Sequence, residues 1–435
     1  MTQILNQIKE RFEKKQANIA VIGLGYVGLP LALGFVEKGF KVFGVDKNGR
    51  KLKNFKSRQI EVSGIERNEI SNALDSGRLD LSNEFNPVEK SDAIIITVPT
   101  PLNKHKEPDT THIETAIDSI MPHLHEGQLV VLESTSYPGT TNELIVSKIE
   151  EEFTIGEEVF VAFSPERVDP GNEKYELKDV PKVVGGVTEK CTKAAKFLYE
   201  QIIDAEVHPV SSLEVAEMSK LLENIFRNVN IALVNELAQL SDKMDINIWE
   251  VIEAAKTKPY GFMPFYPGPG VGGHCIPIDP FYLSWKAKEY DSRMRFIELA
   301  GEINSKMPEF VLAKLTRILN EHEKPLKGSR VLLLGVAYKK DVPDTRESPA
   351  LKLIELLEGA GAKVSYHDPH VEEISTGGEE KNSVNLSSEL INSVDVVVLT
   401  VDHSKFDYDF IIENSQVLLD TKNAVANDSE QIYKL

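Results

Sequence analysis

Asn18-Ile-Ala-Val-Ile-Gly-Leu-Gly-Tyr-Val-Gly28 is the stretch that decides the fold of this 435-residue chain. An apolar run of strand length leads directly into a Gly-x-Gly-x-x-Gly turn, and a stretch of helical periodicity follows. Asp46 lies 18 residues beyond Gly28, at the end of a second apolar run. Strand, glycine turn, helix and distal acid in this order predict a βαβ unit that binds a dinucleotide.

Each glycine of this turn has a separate role in that prediction. Gly23 allows the tight turn, Gly25 lets the backbone approach a pyrophosphate, and Gly28 permits close packing of the helix on the strand. The N terminus of the helix supplies free N–H groups and a partial positive charge to the phosphates.

Asp46 bears on which nicotinamide dinucleotide is bound. Its carboxylate would accept a hydrogen bond from the ribose 2′-hydroxyl, which favours NAD over NADP. Lys47 and Arg50 lie just beyond Asp46, and because cations can bind the 2′-phosphate of NADP, NADP is the alternative cofactor. The sequence predicts NAD as the cofactor.

Short apolar runs alternate with helical stretches in the first half of the chain, as is typical of a parallel sheet covered on both faces. Buried strands are predicted at 18–23, 41–46, 93–97, 128–132, 159–163 and 182–185. The alternation resumes after Lys327, with strands predicted at 330–335, 363–367, 395–399 and 417–420. A second, smaller parallel sheet is expected there, and the acidic segment 371–381 is expected to be a surface loop.

The middle of the chain has a helical pattern. Ser211 followed by Glu214 is a capping-box signature, and the helix is predicted to run to about Met244, roughly 45–50 Å. Its apolar residues cover more than one face: Val215, Met218, Leu221, Leu222, Ile225, Phe226, Val229, Leu233 and Val234. Such a helix is expected to be buried, either between two domains or in a dimer interface. A Pro/Gly-rich loop at 259–280 and further helix to about Asn320 follow.

These patterns predict an α/β protein with two doubly wound Rossmann-like parallel-sheet domains joined by a long central helix. The predicted domains are an N-terminal helical extension at 1–17, a dinucleotide-binding domain at 18–205, a central helical dimerisation domain at 206–320 and a second Rossmann-like domain at 321–435. The extension has Leu5, Ile8 and Phe12 at helical spacing. It is expected either to pack on the first domain or to extend a dimer interface.

Composition argues against several classes of partner. The chain has 49 Lys and Arg against 68 Asp and Glu, a net charge of −19, so neither nucleic acid nor an anionic membrane is an expected partner. Its longest apolar runs fall far short of the roughly 20 residues that span a bilayer, and the first residues lack the apolar stretch of a signal peptide. Two cysteines, Cys191 and Cys275, cannot form a disulfide framework, so a cytoplasmic location is expected.

Cys275 is the candidate nucleophile. It lies in Gly270-Val-Gly-Gly-His-Cys-Ile-Pro-Ile-Asp279, where glycines and prolines predict a rigid, non-helical loop. Cys191 lies in a helical pattern typical of an inert, structural thiol. Asp279 could orient a water molecule or take a proton, whereas His274 is interpreted as a loop-packing residue. No His, Cys or carboxylate group shows ligand spacing, so no metal site is expected.

A polar stripe interrupts the long helix. Glu217, Lys220 and Asn224 are spaced by three and four residues and share one face. Glu217 and Lys220 could form a buried ion pair. Alternatively, Lys220 and Asn224 could donate hydrogen bonds to an oxygen that becomes negative during a reaction. The residues alone leave both interpretations open.

Three further loops concentrate charged residues directly after predicted strands, at 133–139, 164–171 and 335–346. Lys339 and Arg346 in the last of them are cations that could bind phosphate in an otherwise acidic protein. Each loop alone could be a solvated charged loop. Together, after successive strands, they predict one crevice lined from several loops.

A nicotinamide site combined with a loop cysteine indicates an alcohol that is oxidised past the aldehyde. A thiolate traps the aldehyde as a thiohemiacetal, loss of a second hydride leaves a thioester, and water cleaves the thioester. A simple alcohol dehydrogenase has no need of the cysteine.

From about Asn18 to the C terminus, the sequence resembles the UDP-glucose/GDP-mannose dehydrogenase family, which makes uronic acids from nucleotide sugars. The motifs that carry the resemblance are IGLGYVGLPLA, ITVPTP, ESTSYPGT, FSPERVDPG, EMSKLLENIFRNVNIALVNELA, GVGGHCIPIDP and GVAYKKDVPDTRESP. The resemblance implies an N-terminal NAD domain, a homodimer formed through the long helix, and a C-terminal domain that binds the UDP moiety of a UDP-sugar substrate.

The resemblance also implies a role for each residue that matches a family motif. The implied catalytic residues are Cys275 as nucleophile, Lys220 and Asn224 as the oxyanion pair, Asp279 as the acid paired with water, and Thr135 and Glu166 as residues that position that water. The implied cofactor-binding residues are Gly23, Gly25, Tyr26, Val27, Gly28, Asp46, Arg50, Thr97, Pro99, Thr100, Thr135 and Arg346. The implied substrate-binding residues are Glu166, Arg167, Val168, Lys220, Asn224, Phe265, Tyr266, Gly272 and Lys339.

One departure from the better-known UDP-glucose enzymes concerns the loop after the strand at 159–163. Those enzymes have SPEFLREG where this chain has SPERVDPG, so their second glutamate falls on Pro170, and Asp169 is a candidate to replace it. The SPER form and the segment 262–270 resemble the branch that acts on UDP-N-acetylhexosamines, particularly UDP-N-acetyl-D-glucosamine. The product of that branch would supply cell-envelope or capsular polysaccharide.

Other substrates and other classes of protein stay open. The alternative substrates are UDP-glucose, UDP-N-acetyl-D-mannosamine and UDP-N-acetyl-D-galactosamine. A two-electron hydroxyacid dehydrogenase and a non-catalytic NAD-binding sensor are alternatives of other classes.

Overall fold

The computed structural model describes residues 3–58, 65, 67–103, 105–167, 174–273, 275–426 and 429–435. It confirms the α/β fold class, with two doubly wound sheets and a long central helix. The chain divides into two compact units: Met1–Glu223 with Trp285–Ser292, and Asn224–Ser284 with Arg293–Leu435. The domain boundaries predicted at 17, 205 and 320 stay predictions.

The first unit contains an eight-stranded sheet. Its strands are β1 (Asn18–Ile22), β2 (Lys41–Val45), β3 (Leu79–Ser82), β4 (Ala93–Ile96), β5 (Leu129–Leu132), β6 (Phe160–Phe163), β7 (Lys182–Gly186) and β8 (Val207–Pro209). They are ordered β3-β2-β1-β4-β5-β6-β7-β8. Ile19 and Val21 of β1 lie in one apolar core, and Ala20 and Ile22 lie in another. Both faces of the sheet are therefore covered, which explains the unbroken apolar runs in its strands.

The helices described in this unit before the long helix include α1 (Gln3–Glu13), α2 (Gly28–Glu37), α3 (Gly49–Lys56), α4 (Arg67–Asp75), α5 (Thr111–Ile120), α6 (Ser147–Ile149) and α7 (Glu189–Tyr199). Leu5, Ile8 and Phe12 of α1 are buried in the core of the unit, and α1 packs against α7. Of the two expectations for the N-terminal extension, packing on the first domain is the one that the structure shows.

The prediction that all strands of the first sheet are parallel is wrong for β7, which runs antiparallel to β6. An antiparallel neighbour needs no crossover helix, so the chain can return from β6 to β7 without one. The sequence analysis also missed β3 and β8, which have four and three residues. Their sequences, Leu-Asp-Leu-Ser and Val-His-Pro, lack the continuous apolar run by which the other strands were recognised.

The long helix α8 (Leu213–Met244) has 32 residues and is about 48 Å long at 1.5 Å per residue. The capping box predicted for Ser211 and Glu214 is wrong. The Ser212 hydroxyl accepts a hydrogen bond from the N–H of Val215, and the Glu214 carboxylate accepts one from the side chain of Asn142. Three helices follow: α9 (Ile248–Lys256), α10 (Asp279–Ala287) and α11 (Arg295–Glu321). None of the helices in the described ranges is long and apolar enough to cross a bilayer.

Part of the apolar surface of α8 is exposed in the single chain, and its burial in a dimer interface, one of the two expected settings, stays a prediction. Leu221 and Val234 are buried. Eight other apolar residues are between 41% and 61% exposed: Val215, Met218, Leu222, Phe226, Leu233, Leu237, Leu240 and Met244. Their spacings of three, four and seven place them along one side of the helix. We call these eight residues the α8 apolar stripe.

The second unit contains the remaining strands and helices. The strands are β9 (Arg330–Leu334), β10 (Lys363–His367), β11 (Glu373–Thr376), β12 (Glu379–Asn382), β13 (Val396–Leu399), β14 (Leu418–Asp420) and β15 (Ile432–Lys434). The helices are α12 (Pro349–Gly359), α13 (Ser388–Ser393) and α14 (Tyr408–Asn414). Five strands form a parallel sheet ordered β10-β9-β13-β14-β15. The sequence analysis predicted four of these five and missed β15.

The acidic segment at 371–381 is not a loop, as was expected, but part of a hairpin formed by β11 and β12. Ile374 and Thr376 of β11 are buried, and Glu373 and Ser375 are exposed. This alternation buries one face of the hairpin although most of its side chains are polar.

Candidate active site

The glycine turn between β1 and α2 is built as the sequence predicts. Gly23 has a φ of +97°, a conformation that side chains rarely adopt. A Cβ atom on Gly28 would lie 1.9 Å from the carbonyl oxygen of Gly23, so only glycine fits at the first position of α2. A Cβ atom on Gly25 would meet nothing within 4 Å, so the surface above Gly25 is open. A bare turn with free space above its second glycine fits the close approach of a pyrophosphate.

Asp46 follows β2 and is tied to this turn. Its carboxylate accepts hydrogen bonds from the N–H groups of Leu24 at 3.0 Å and Asn48 at 2.9 Å, and from Lys51 Nζ at 2.7 Å. Burial alone would raise the pKa of Asp46, but these hydrogen bonds outweigh burial and lower it, so the carboxylate is ionised near neutral pH. Arg50 is exposed, and the sequence analysis missed Lys51. Lys51 lies only five residues beyond Asp46, on the next helix, so the sequence could have indicated that the two side chains form an ion pair.

Threonines after β4 and β5 support the turn and the loops beside it. The Thr97 hydroxyl donates to the carbonyl oxygens of Gly23 at 2.6 Å and Ile22 at 3.1 Å. The Thr100 hydroxyl donates to the carbonyl oxygen of Thr135 at 2.6 Å, which fixes the backbone of the loop after β5. Thr135 is itself half-buried. Of the other predicted cofactor residues, Tyr26 and Val27 lie half-buried in the glycine turn, and Pro99 is exposed.

The second unit repeats this arrangement after β9. Gly335 has a φ of +88°, and the Thr400 hydroxyl donates to its carbonyl oxygen. Asp368 accepts hydrogen bonds from the N–H groups of Val336 and Ala337, as Asp46 does from that of Leu24. Burial opposes ionisation of Asp368, yet its hydrogen bonds, including one at 3.1 Å to buried His403, lower its pKa to about 2. The sequence analysis did not detect this repeat, because its turn contains a single glycine.

Glu217 of α8 is bound to the loop after β5. Its carboxylate accepts hydrogen bonds from the N–H groups of Gly139 at 2.6 Å and Thr141 at 2.9 Å, and from the Thr141 hydroxyl at 2.6 Å. Burial raises the pKa of Glu217 despite these bonds. Among the described residues no ion pair joins Glu217 to Lys220, so the first interpretation of the polar stripe is wrong. Lys220 is half-buried on the same helix.

The loop after β6 places Glu166 and Arg167. Glu166 Oε1 accepts a hydrogen bond from the N–H of Arg167 at 2.7 Å. The Arg167 guanidinium donates to the carbonyl oxygen of Pro181 and forms an ion pair with Glu223 at 2.7 Å. Val168, Asp169 and Pro170 lie outside the described residues.

The Cys275 loop is held against the segment that follows β9. The N–H of Gly273 donates to the carbonyl oxygen of Arg346 at 3.0 Å, and a Cβ atom on Gly272 would lie 2.8 Å from Tyr338 Cβ. Cys275 is partly exposed and precedes α10, as predicted, whereas Cys191 is fully buried in α7. His274 lies outside the described residues. The structure thus confirms the predicted surroundings of both cysteines, a loop for Cys275 and a helix for Cys191, while their roles stay predictions.

Asn224 and Asp279 are brought together in the second unit. The Asn224 amide donates to the Asp279 carboxylate at 2.5 Å, and both residues are buried. The N–H of Asp279 donates to the carbonyl oxygen of Cys275 at 2.8 Å. Asp279 is thus oriented by Asn224 and joined to the cysteine loop by its own backbone.

The other predicted substrate residues have varied surroundings. The Phe265 ring packs against Phe226, with 5.7 Å between the ring centroids. The Tyr266 hydroxyl donates to Glu253 at 2.6 Å on α9. Lys339 is half-buried. Arg346, predicted to reach the cofactor, is exposed and forms an ion pair with Asp344.

One group of residues in the described ranges could in principle hold a metal ion. Ligand atoms of Asp341, His370 and His403 lie within 4.8 Å of one another. However, His403 Nδ1 accepts a hydrogen bond from the N–H of Asp341 at 3.0 Å, and its Nε2 is paired with Asp368 at 3.1 Å. With both ring nitrogens in use, this cluster does not offer three available ligands.

The fold and the turn after β1 define a dinucleotide-binding protein, with a partly exposed cysteine in a loop of its second unit. Residues 17–203 match the NAD binding domain of the UDP-glucose/GDP-mannose dehydrogenase family, 214–306 its central domain, and 332–427 its UDP binding domain. The chain belongs to this family, and it is an NAD-dependent nucleotide-sugar dehydrogenase.

Individual relatives agree with the family but differ in the sugar they are named for. The chain is 37% identical to the UDP-N-acetyl-D-mannosamine dehydrogenase of Methanocaldococcus jannaschii, over 93% of this chain and 92% of that one. It is 36% identical to the UDP-N-acetyl-D-glucosamine 6-dehydrogenase of Pseudomonas aeruginosa, over 90% and 92%. Among solved structures, it matches the UDP-D-ManNAc dehydrogenase of Pyrococcus horikoshii with a TM-score of 0.87 and 32% identity, covering 96% and 98%.

Proposed function

We propose that this protein oxidises the C6 hydroxyl of a UDP-N-acetylhexosamine to the uronic acid by a four-electron reaction that passes through a thioester on Cys275. UDP-N-acetyl-D-glucosamine is the first candidate substrate. The observation that carries the proposal is the thiol of Cys275, partly exposed in a loop that is fixed at Gly272 and Gly273. The scarcity of cysteines supports a cytoplasmic location as part of the proposal.

The residues that match the NAD site are the glycine turn, Asp46 and Thr97. NAD bound there would accept the first hydride from C6, and a second NAD, bound after the first has left as NADH, would accept the other. The thiolate of Cys275 adds to the aldehyde carbon and forms a C–S bond, which gives a thiohemiacetal. Loss of the second hydride leaves a thioester. Attack by water then breaks the C–S bond, releases the carboxylate and restores the thiol.

The other residues implied by the family resemblance are assigned to two tasks: stabilising the negative oxygen that forms during the reaction, and positioning the water that cleaves the thioester. Lys220 and Asn224 are assigned to the oxygen that becomes negative when sulfur or water adds to the carbon. Asp279, Thr135 and Glu166 are assigned to the water molecule that cleaves the thioester. Support comes from the buried hydrogen bond that orients Asp279 and from the backbone bond that fixes the loop of Thr135.

The identity of the sugar rests on two observations that point in different directions. The SPER motif and the segment 262–270 support UDP-N-acetyl-D-glucosamine as substrate. The names of the relatives from M. jannaschii and P. horikoshii support its C2 epimer, UDP-N-acetyl-D-mannosamine, as a second candidate. Both candidates have an N-acetyl group, so the substrate class is the same.

The test is a panel of UDP-sugars assayed for NADH release with the purified protein. We expect UDP-N-acetyl-D-glucosamine to give the highest kcat/KM. The kcat/KM for UDP-glucose should be at least about tenfold lower, because UDP-glucose has no N-acetyl group to contact the substrate pocket. Each sugar oxidised should yield two NADH and one carboxylate. One NADH with accumulated aldehyde would point to a two-electron dehydrogenase, and NAD binding without turnover of any sugar would point to a sensor.

We also propose that the chain forms a homodimer through the α8 apolar stripe. Eight apolar side chains along one helix face, each at least 41% exposed in the single chain, form a patch that a soluble protein normally covers. A second copy presents the same stripe, so a two-fold axis would pair it with itself.

Replacing Leu233 by Glu should separate the dimer into single chains. The substitution would bury an unpaired carboxylate in the middle of the proposed interface, at a cost of several kcal/mol. Light scattering coupled to size-exclusion chromatography measures the mass. The matched control is Tyr290→Glu, since Tyr290 is 73% exposed and lies outside α8. A Leu233→Glu variant with the mass of the wild-type dimer, or a monomeric wild type, would contradict the proposal.

A further inference from the structure

A buried charged network lies at the ends of three neighbouring strands in the first unit. Glu133 follows β5, Glu166 follows β6, and Lys182 begins β7. Tyr199 at the end of α7 completes the group. Glu133, Lys182 and Tyr199 are at most 3% exposed. Ionisable side chains are rarely buried this deeply unless they are paired, so the network needs an explanation.

Lys182 is the centre of the network. Its Nζ lies 2.9 Å from Glu133 Oε2 and 3.8 Å from Glu166 Oε2, and 4.9 Å from the centroid of the Tyr199 ring. The Tyr199 hydroxyl donates to the other oxygen of Glu133. Glu133 and Tyr199 therefore hold the ammonium in place, and the ammonium faces Glu166.

Glu166 is fixed through both of its carboxylate oxygens. Oε1 accepts a hydrogen bond from the N–H of Arg167, and Oε2 faces the Lys182 ammonium. The side chain of Glu166 keeps 13% of its surface exposed, whereas that of Lys182 keeps 4%. Glu166 is the member of the network that solvent can reach, and Lys182 lies behind it.

The charge state of Lys182 fits this arrangement. Burial alone would lower the pKa of Lys182, but the carboxylates of Glu133 and Glu166 outweigh burial and raise it. The positive charge of nearby Arg167 lowers the pKa of Lys182, but its effect is smaller than that of the carboxylates. Burial and the same carboxylates raise the pKa of Tyr199, which keeps its phenol protonated as a donor. The ammonium is therefore present throughout the neutral range.

We infer that Lys182 is a positioning residue for Glu166: it holds the carboxylate oriented toward the water that cleaves the thioester, and Glu133 and Tyr199 hold Lys182. The inference rests on the proposed function, because it assigns Glu166 a task in that reaction. Lys182 itself touches neither the substrate nor the cofactor in this assignment. The ion pairs of the loop after β6 would thus control the last chemical step.

The test is a mutational cycle on Lys182 and Glu166. Removing Lys182 alone would leave the buried carboxylate of Glu133 without a cation and endanger folding. We therefore pair Lys182→Met with Glu133→Gln, whose amide oxygen can still accept from Tyr199. This double variant is combined with Glu166→Gln, and kcat and KM are measured with UDP-N-acetyl-D-glucosamine, or with the panel sugar that the wild type oxidises fastest.

We expect the double variant to lower kcat about 30-fold with KM changed less than about threefold, because the carboxylate of Glu166 loses its orientation while the substrate contacts stay. In the Glu166→Gln background the same two substitutions should change kcat less than about twofold, because their effect passes through Glu166. Multiplicative losses in that background would overturn the inference. A wild type without activity on any sugar would instead overturn the proposed function.

Two further variants show whether a loss of activity comes from the lost ion pair or from a general loss of folding. Lys182→Arg retains a cation beside Glu166, so its kcat should stay within about threefold of the wild type, and a loss of about 30-fold would contradict the inference. Lys193→Met with Glu189→Gln is the matched control. This pair lies on the exposed side of α7 with 2.6 Å between its charged atoms, and its removal should leave kcat unchanged.

Discussion

Replacing Cys275 by alanine should abolish uronic acid formation, with kcat for the release of two NADH lowered by at least about 10³-fold. Without the sulfur atom the aldehyde cannot become a thiohemiacetal, and no thioester forms for water to cleave. Any residual turnover should stop at the aldehyde, with one NADH per sugar. NADH release and a chromatographic assay for the uronic acid measure both outcomes.

The second cysteine of the chain supplies the control. Cys191 is fully buried in α7, so Cys191→Ala should cost some stability but keep kcat within about twofold of the wild type at a temperature where the variant is folded. NAD affinity should stay within about twofold in both variants, since the glycine turn is untouched. Unchanged acid formation by Cys275→Ala would refute the catalytic assignment.

Replacing Gly28 by alanine should abolish NAD binding and lower the free energy of unfolding by about 3 kcal/mol. The new Cβ atom would lie 1.9 Å from the carbonyl oxygen of Gly23 and 2.3 Å from Thr97 Oγ1, so α2 would have to move away from β1. The N–H groups at the start of α2 would then leave the position where they meet phosphate. Urea unfolding and calorimetric titration with NADH measure the two effects.

Gly25→Ala separates the loss of cofactor from the loss of stability. Its Cβ atom meets nothing in the protein within 4 Å, so the free energy of unfolding should change by less than about 0.5 kcal/mol. The added methyl group occupies the space in which the pyrophosphate approaches, and NADH affinity should fall about tenfold or more. Gly359→Ala, also in open space, should change neither quantity. Equal NADH affinity in Gly28→Ala and wild type would contradict the assignment of the turn.

The parts of the fold that local sequence determines could be predicted. The run from Asn18 to Gly28 fixes strand, turn and helix because only glycine tolerates the φ of Gly23 and the contact at Gly28. The direction of β7 depends instead on how the chain returns to the sheet, which no pattern in residues 182–186 records. Strand β8 has three residues and is formed only because β7 is beside it.

The site shows the same division between local and distant determinants. Cys275 and Asp279 could be recognised because glycines and prolines near them predict a loop. Partners far away in sequence could not. Lys220, three residues from Glu217, is its obvious partner in the sequence, yet Glu217 binds the backbone at Gly139 and Thr141, 78 and 76 residues away.

Lys182 is the residue that sequence reasoning was least able to find. It stands at the start of a predicted strand, where a lysine is ordinarily exposed to solvent. Its burial follows from Glu133 and Tyr199, which lie 49 residues before it and 17 residues after it. Only the sheet order, which puts β5, β6 and β7 side by side, brings these groups together.

The continuity of α8 restricts how this family member can change during evolution. Lys220 and Asn224 stand four residues apart on one unbroken helix, so they are separated by about 6 Å along its axis. A single inserted or deleted residue between them would rotate one against the other by about 100° without altering either side chain. An insertion at this point is therefore expected to separate the proposed oxyanion pair, so the spacing of the two residues is constrained as well as their identity.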